Sequence, residues 1–421
     1  MKRSSNRRTN LTVCRTPNAS HETENCYNLK TVNAARFAFA QSAGTRLHQK
    51  AILRKRLTFS MMQAANQTAL SNAEDEINHR WLFSAPVDLS VFLGSAVLSL
   101  VLLAVGWRFG ILNGESPDWT WISAVLLIDV AHVWSTSFRV YFDAAEYRRR
   151  IRLYTLVPIF GYAIGAALYS EGELVFWKAL ALLAVFHFVR QQYGWVNLYR
   201  AKLREKSRLT RWIDAAAIYL ATVYPLCFWM TSLPRNFDWF VRGDFFDLPQ
   251  IVAKVLFPIY VTSLAVYFGK SVYLYFADGF LNIGKDIVVL TTAVCWYAGI
   301  VALNSDYAFT VTNVIIHGVP YFALIFFYAK SRRETANKFY RSLSSNWLIF
   351  LATLWALAYL EELFWNRGVW HEHESLFGAS WNLDDWKMYL VPLLAVPQLT
   401  HYILDGFIWK RKNNENFRLI G

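Results

Sequence analysis

Four histidines lie inside apolar stretches of the sequence, each in a different segment long enough to be a membrane helix. They are His132, His187, His317 and His401. Imidazole is costly to bury in a bilayer, so intramembrane ionisable groups are candidates for functional sites. Four of them on four helices predict a metal or cofactor site that is built between the helices.

Each histidine has a polar or acidic residue three or four positions away. These partners are Asp129, Gln191, Asn313, Gln398 and Asp405. Residues at these spacings are neighbours on one helical face. Asp129 and Asp405 either bind a metal themselves or orient an imidazole ring from behind. Gln191 either ligates weakly or hydrogen-bonds the ring of His187.

Arg190 lies three positions after His187 and is an unusual residue at this depth. Its guanidinium is suited to an anionic head group or carboxylate. Together with Gln191 it is our candidate for contacting the substrate or orienting a ligand. The alternative is that Arg190 extends toward the cytoplasmic interface.

Gly318 and Pro320 follow His317 directly. Proline lacks the N–H that a helix interior needs. We therefore expect the helix to loosen here, which would free backbone carbonyls and leave room for a ligand.

Four neutral imidazoles with carboxylates nearby suit iron, copper or zinc. Cys227 and Cys295 lie in different apolar segments, which argues against iron–sulfur and thiolate-zinc sites. A haem held by two histidines is a further alternative, although the sequence lacks the two histidines on one helix that haem-binding cytochromes often carry. The alternative without a metal is that each imidazole hydrogen-bonds across helices.

The histidines require long helices to position them, and the sequence supplies ten apolar segments. Their predicted spans are 89–109, 120–140, 153–170, 174–199, 212–231, 250–269, 285–303, 307–329, 346–364 and 387–409. Such lengths are typical of membrane-spanning helices. The fold class we predict is all-α, a polytopic transmembrane helix bundle of about ten spans.

The loops between these segments alternate in charge. Basic loops follow each even-numbered segment, at Arg148–Arg152, Arg200–Arg211, Lys270–Lys285, Lys330–Arg341 and Lys410–Lys412. The opposite loops are acidic or neutral, with Asp118, Asp238 and Glu372 as examples. The positive-inside rule then predicts ten spans with both termini in the cytoplasm. It also places the four histidines at a common depth, roughly ten to fourteen residues into their segments.

The composition agrees with a membrane protein. The chain has 421 residues, of which 55% are hydrophobic and 17% charged, and a mean hydropathy of +0.22. The net charge of +13 does not indicate a nucleic-acid partner, because the basic residues lie mainly in the amino-terminal segment and the short loops. We expect an integral membrane protein of a bacterial inner membrane.

Residues 1–60 differ from the rest of the chain, being polar, basic and nearly free of acidic residues. They have no apolar core typical of a signal peptide. We expect this segment to be disordered or not part of the mature chain. A transit peptide is one explanation, and an extension upstream of the true start is another, since Met61 and Met62 would open a more ordinary amino terminus. We predict a single integral-membrane domain over 61–421.

The pattern of one intramembrane histidine per helix, in His132, His187, His317 and His401, resembles the Brp/Blh family of bacterial integral-membrane β-carotene dioxygenases. The resemblance implies iron held by histidines from several helices and oxygenative cleavage of a carotenoid. The clustered histidine boxes of fatty-acid desaturases and hydroxylases are missing from this sequence, so a standard desaturase is excluded.

The function we predict is a histidine-ligated non-haem metal oxidoreductase or oxygenase, with iron as the metal and haem or copper as alternatives. Its substrate would be lipidic, an isoprenoid or a fatty acyl chain, and an electron-donating partner is left open. The alternative is a transporter or channel in which the same histidines and carboxylates form a proton or ion relay. A binding module in which the polar groups only join helices is a third alternative.

Overall fold

The structure, a computed structural model, describes residues 62–63, 80–114 and 116–409. The predicted amino-terminal segment 1–60, Met61 and the basic residues Lys410, Arg411 and Lys412 lie outside the described residues. The chain separates into two compact units, 1–74 and 75–421. All the elements below belong to the second unit.

The part of the chain that the structure describes is helical and contains no β-strand, which confirms the predicted all-α class. The helices are α1 (Ala85–Arg108), α2 (Asp118–Arg139), α3 (Ala144–Arg149), α4 (Ile151–Glu171), α5 (Glu173–Lys202), α6 (Arg208–Met230), α7 (Ile251–Asp278), α8 (Ile283–Ala302), α9 (Asp306–Arg332), α10 (Lys338–Leu343), α11 (Trp347–Trp370), α12 (Glu374–Phe377), α13 (Lys387–Leu394) and α14 (Val396–Ile408).

Eight of these helices are long and apolar enough to cross a membrane: α1, α2, α4, α6, α7, α8, α9 and α11. Two predicted spans take another form. Helix α5 is 30 residues long and contains charged residues within its length. The tenth predicted segment is divided at Ala395 into α13 and α14. Pro397 accounts for the break, because it cannot donate a backbone hydrogen bond to the preceding turn. The count of ten spans and the cytoplasmic termini stay predictions.

Local sequence explains where the long helices begin and end. The side chains of Ser207, Asn282, Ser305 and Asn346 cap α6, α8, α9 and α11 by accepting from a backbone N–H of the first turn. Such residues satisfy donors that have no partner inside the helix. Helix α7 ends at Gly279, whose φ of 64° is a left-handed conformation that glycine adopts without a steric cost.

The predicted acidic loops lie together at one end of the bundle. The Ser116 hydroxyl donates to Asp306 at 2.6 Å, and the Asn236 backbone N–H donates to the Asn304 side chain at 2.8 Å. We call this end of the bundle the acidic end. Loops that the sequence assigns to the acidic or neutral side thus contact one another at the same end of the bundle.

The basic loops meet at the other end, which we call the basic end. There the Arg332 guanidinium donates to Asp143 at 2.9 Å, and the Tyr328 hydroxyl donates to the same oxygen at 2.9 Å. Burial alone would raise the pKa of Asp143, but the hydrogen bonds from Arg332, the Glu146 N–H and Tyr328, together with the charge of Arg332, outweigh it and lower the pKa below its usual value. An ionised Asp143 thus joins the loop after α2 to the end of α9.

Helix α9 is the centre of the bundle, with 20 of its 27 residues buried. It contacts α1, α2, α5 and α8. Helices α4 and α7 instead expose large apolar side chains, including Ile159, Phe160, Val255 and Phe257. An apolar surface of this kind is expected of helices that face lipid. The histidine His317 therefore lies on the most enclosed helix.

Gly318 permits a close approach of α9 and α2 rather than a loosened helix. Helix α9 runs without interruption through Gly318 and Pro320. A Cβ at Gly318 would lie 2.5 Å from Ile128 Cγ2 and 3.7 Å from the Cβ of His132. The expectation that Gly318 and Pro320 loosen α9 was therefore wrong, because neighbouring helices enclose this turn.

Substitution of Gly318 by alanine is expected to lower stability by about 1–3 kcal/mol, as overpacking typically does. Thermal unfolding in detergent measures the effect. Gly269→Ala is the matched control, since no atom lies within 4 Å of a Cβ there. The penalty should shrink in an Ile128→Ala background, which removes the clashing Cγ2. Equal melting temperatures for Gly318→Ala and Gly269→Ala would contradict the close packing.

Candidate metal centre

The four predicted histidines meet inside the bundle. They come from α2, α5, α9 and α14, and their side chains are nearly inaccessible: His132 is 1% exposed, His187 3%, His317 0% and His401 1%. Helices α2 and α5 each contact both α9 and α14. The four helices therefore enclose the imidazoles in a square arrangement.

The four imidazole rings have the same square arrangement as their helices. Neighbouring ring centroids lie 4.6 Å apart for His132–His317, 5.2 Å for His317–His187, 4.5 Å for His187–His401 and 4.9 Å for His401–His132. His132 and His187 face each other across the square at 6.4 Å. Each ring crosses its neighbours at a steep angle, between 61° and 88°.

The Nε2 atoms point at one another in two pairs. His317 Nε2 lies 3.1 Å from His132 Nε2, and His401 Nε2 lies 3.1 Å from His187 Nε2. His132, His187 and His401 each offer a ring nitrogen within 4.8 Å of the others. Two nitrogens that bind one ion at about 2.0–2.1 Å lie about 2.9–3.4 Å apart for angles between 90° and tetrahedral. The spacing within each pair fits two ligands of one ion.

Two of the Nδ1 atoms lie near polar side chains. His401 Nδ1 lies 2.7 Å from the Thr136 hydroxyl oxygen, and His132 Nδ1 lies 3.4 Å from Asp129 Oδ1 without a hydrogen bond between them. A partner at Nδ1 fixes the tautomer that leaves the Nε2 lone pair free, as in most histidine metal sites. Asp129 lies beside the Nδ1 atom of His132, and its role as a ligand or as an orienting group stays a prediction.

Asp405 lies near the Nδ1 atoms of two histidines. Its carboxylate oxygens lie 3.8 Å from His187 Nδ1 and 4.0 Å from His401 Nδ1. The Tyr321 hydroxyl donates to Asp405 Oδ1 at 2.6 Å and thereby holds the carboxylate in place. Asp405, like Asp129, lies on the Nδ1 side of the rings and away from the point where the Nε2 atoms converge.

Gln191 joins α5 to α9 beside His317. Its amide donates to the His317 backbone carbonyl at 2.9 Å, which ties α5 to α9 beside both histidines. Phe188 stacks on the His317 ring with centroids 3.5 Å apart and planes 5° apart. Gln191 is thus a residue that positions the helices, and its proposed contact with substrate stays a prediction.

Arg190 lies away from the four rings. Its side chain is exposed, its guanidinium donates to the Tyr219 hydroxyl, and it lies 5.2 Å from the Tyr193 ring centroid. These contacts are with α5 itself and α6. The structure therefore does not bring Arg190 to the histidines, since it projects from another face of α5 than His187 does.

Two residues of the site do not stand out in the sequence analysis. Thr136 and Tyr321 each lie four positions after a site histidine, and their hydroxyls lie 3.3 Å apart. The same helical spacing that indicates Gln191 would have found them. Hydroxyl groups are common in membrane helices, and so their type alone gives no signal.

Glu361 and Glu362 are two buried carboxylates of α11 that the histidine pattern does not indicate. Glu361 accepts hydrogen bonds from the indole nitrogens of Trp134 at 2.5 Å and Trp365 at 3.3 Å. Glu362 accepts from the Asn366 amide at 3.1 Å. Consecutive glutamates inside an apolar segment are a usable sequence signal, because carboxylates in a membrane helix are costly.

A cavity of about 1190 Å³ leads from the acidic end toward the histidines. Its mouth is formed by the loops before α2 and α9 and after α6 and α11. Its floor includes Asp129, Asn313 and Gln398, which precede His132, His317 and His401 by three or four positions. His373, in the loop after α11, lies at the mouth, 3.9 Å from Asp118. A volume of this size exceeds what most drug-sized ligands need.

Removal of the Thr136 hydroxyl is expected to destabilise the site. Thr136→Val leaves the buried His401 Nδ1 without its partner, which costs about 1–3 kcal/mol. Thr136→Ser keeps the hydroxyl and is the matched control. Thermal unfolding of both variants, after treatment with a chelator, measures the difference. If valine and serine behave alike, the Thr136–His401 hydrogen bond does not stabilise the protein.

Comparison with models of protein families, with curated proteins and with solved structures gives no match to this chain.

Proposed function

We propose that the four histidines hold a non-haem metal ion, iron, and that the protein is a membrane oxidoreductase that oxygenates a lipidic substrate. The observation that carries the proposal is the burial of four imidazoles whose Nε2 atoms lie in two pairs, each 3.1 Å apart, with ring nitrogens of His132, His187 and His401 within 4.8 Å of one another. Two N–H···N hydrogen bonds would satisfy these rings pair by pair. Such bonds give no reason for one pair to face the other, whereas a shared cation does.

The donor set indicates the class of metal. Four imidazole nitrogens without thiolates suit iron or copper. A haem fits poorly, because axial nitrogens about 2 Å from iron on opposite sides lie about 4 Å apart with a porphyrin between them. The pairs at 3.1 Å are closer than that. Copper stays an alternative ion for the same ligands.

The residues around the rings have defined tasks in this proposal. Asp129, Thr136 and Asp405 hold the Nδ1 side of His132, His401 and His187. Neutral rings held in this way present their lone pairs inward. Bound iron would supply the activation of O₂. The protein positions the ligands, and the enclosing helices keep bulk water from the rings.

A lipidic substrate, isoprenoid or fatty acyl, would reach the site through the cavity. Aromatic side chains form much of its wall, among them Trp177, Phe188 and Trp365. The cavity floor at Asp129 lies next to His132. The resemblance to the Brp/Blh family suggests oxygenative cleavage, which uses no external electrons. Hydroxylation would instead require an electron-donating partner. We assign the protein to a bacterial inner membrane as part of the same proposal.

A proton or ion relay is the second candidate, favoured by a series of polar contacts through the site. Asp129 lies 3.4 Å from His132, and at the far side Asp405 accepts from Tyr321, whose oxygen lies 3.3 Å from Thr136. Such a series is suited to proton transfer. Proton flux into liposomes that contain metal-free protein, abolished in Asp129→Asn, would favour this candidate.

Metal analysis tests the proposed centre. Protein lacking residues 1–60, purified in detergent and reconstituted anaerobically with ferrous iron, is expected to hold close to one iron per chain. Alanine at His132, His187, His317 or His401 should each remove most of it, because each variant deletes one ligand. Elemental analysis by mass spectrometry measures the content.

His371→Ala is the matched control, since His371 is exposed and lies in the loop after α11. It is expected to retain its iron. Folded wild-type protein that binds neither iron nor copper would contradict the metalloenzyme proposal and leave structural packing or transport.

Oxygenation is tested with isotopically labelled gas. Iron-loaded protein in vesicles of bacterial polar lipid extract supplemented with β-carotene is incubated under ¹⁸O₂. We expect a labelled lipid or carotenoid product that is lost in His317→Ala and kept in His371→Ala. Mass spectrometry of the extracted lipids detects the label. Iron bound at full occupancy with no labelled product would contradict oxygenation of these lipid classes while leaving the metal centre intact.

A further inference from the structure

The large cavity at the acidic end carries an unbalanced charge. Six carboxylates line it, whereas Arg242 is the only lysine or arginine among the described lining residues. The six are Asp118, Asp129, Asp238, Asp306, Glu362 and Glu372. Within the described part of the chain, none of them forms an ion pair with a lysine or arginine. A cleft lined by one sign of charge concentrates ligands of the opposite sign.

Unpaired acceptor oxygens add to this charge at the floor. Asn313 is 2% exposed, and its Oδ1 has no hydrogen-bond partner in the described structure. The orientation of the amide is fixed, because its Nδ2 donates to the Phe309 carbonyl and to the Thr312 hydroxyl oxygen, both at 3.0 Å. Asn313, which lines the cavity floor, therefore has an acceptor oxygen without a partner among the described residues.

Carboxylates at the mouth influence one another. Burial raises the pKa of Asp238, the Gly243 N–H and Arg242 oppose this shift, and the nearby Asp306 carboxylate makes the smallest contribution, in the same direction as burial. Repulsion between the two carboxylates is relieved when a positive charge enters. The loops thus hold Asp238 and Asp306 close together at the entrance, near Arg242.

The walls between mouth and floor are aromatic. The Trp177 ring lies 5.3 Å from Trp370 and 5.7 Å from Phe240. On the other side, Trp239 lies 5.0 Å from Phe188 and 5.5 Å from Phe309, and all of these residues line the cavity. Faces of aromatic rings attract cations, most strongly where water is excluded.

We propose that this cavity binds an organic cation with a large apolar body, such as an amine-bearing or quaternary ammonium amphiphile. The carboxylates and Asn313 Oδ1 supply the polar recognition, and the aromatic walls accommodate the apolar body. This inference rests on the proposed function in one respect: it names the class of substrate that would reach the histidines. Binding itself is a property of the cavity.

The volume and the walls favour an organic cation over a hydrated metal ion. A cavity of about 1190 Å³ is far larger than one ion with its water shell requires, and an aqua ion gains little from tryptophan walls. The carboxylates of the lining would repel an anionic head group, whereas an isoprenoid or fatty acyl body that carries an amine or ammonium group would be attracted. An apolar body with a positive charge satisfies both features.

Two ions of nearly equal size and opposite charge test the proposal. Tetraphenylphosphonium and tetraphenylborate are titrated into protein in zwitterionic lipid nanodiscs, with empty nanodiscs subtracted and tryptophan fluorescence as the readout. We expect the phosphonium to bind at least about tenfold more tightly than the borate, since charge alone distinguishes them. Its affinity should fall with added salt.

Glu372→Gln is the diagnostic variant, because it removes a carboxylate of the cavity lining and keeps the size of the side chain. It should weaken phosphonium binding about fivefold or more. Glu171→Gln, at an exposed acid outside the cavity lining, should leave binding unchanged. A second variant, Asn313→Leu, removes the free acceptor and should also weaken binding.

The outcomes separate this proposal from the metal centre. Phosphonium binding that persists in His317→Ala, a variant expected to lose iron, supports a cavity site whatever the fate of the metal proposal. Iron retained together with equal binding of both ions overturns the cation proposal alone. Displacement of the phosphonium by millimolar magnesium would also overturn it, because the cavity would then be a site for hydrated metal ions.

Discussion

A histidine buried in a membrane protein has two ring nitrogens, and each must find a partner where water is scarce. In this molecule the two ring nitrogens point in different directions. The Nδ1 atoms of His132, His187 and His401 face polar side chains, while Nε2 atoms from four helices face one another. An unsatisfied polar group in such surroundings costs several kcal/mol, on the order of a whole hydrogen bond or more. The need for a partner at each buried ring nitrogen therefore constrains which helices are neighbours and how closely they approach.

The central helix α9 shows how this constraint affects packing. His317 reaches the other rings only if α2 comes close, and Gly318 allows that approach because Ile128 fills the space that a side chain would need. Gln191 then ties α5 to the His317 carbonyl. The glycine and the amide are thus part of the site although neither faces the point where the Nε2 atoms converge.

Helical periodicity predicts the site's own residues well and their surroundings less well. The histidines and the carboxylates Asp129 and Asp405 follow from spacing alone. Arg190 does not, because residues three and four positions after His187 lie about 60° to one side and about 40° to the other. Only the packing of α6 and α9 decides which side faces inward. The cavity could not be predicted either, since its mouth combines loops that are distant in sequence.

Access to the histidines differs between the two ends of the bundle. From the acidic end, the cavity reaches Asp129 beside His132. At the basic end, Asp405 lies beneath the Tyr321 hydroxyl, and the Trp409 indole donates to that hydroxyl at 3.4 Å. A conducting relay needs polar access from both faces of the membrane. A wide entrance at one end, opposite an end closed by packed aromatic groups, is instead the arrangement expected when a ligand enters, reacts and leaves by one route. This asymmetry is a physical reason to favour an enzyme over a relay.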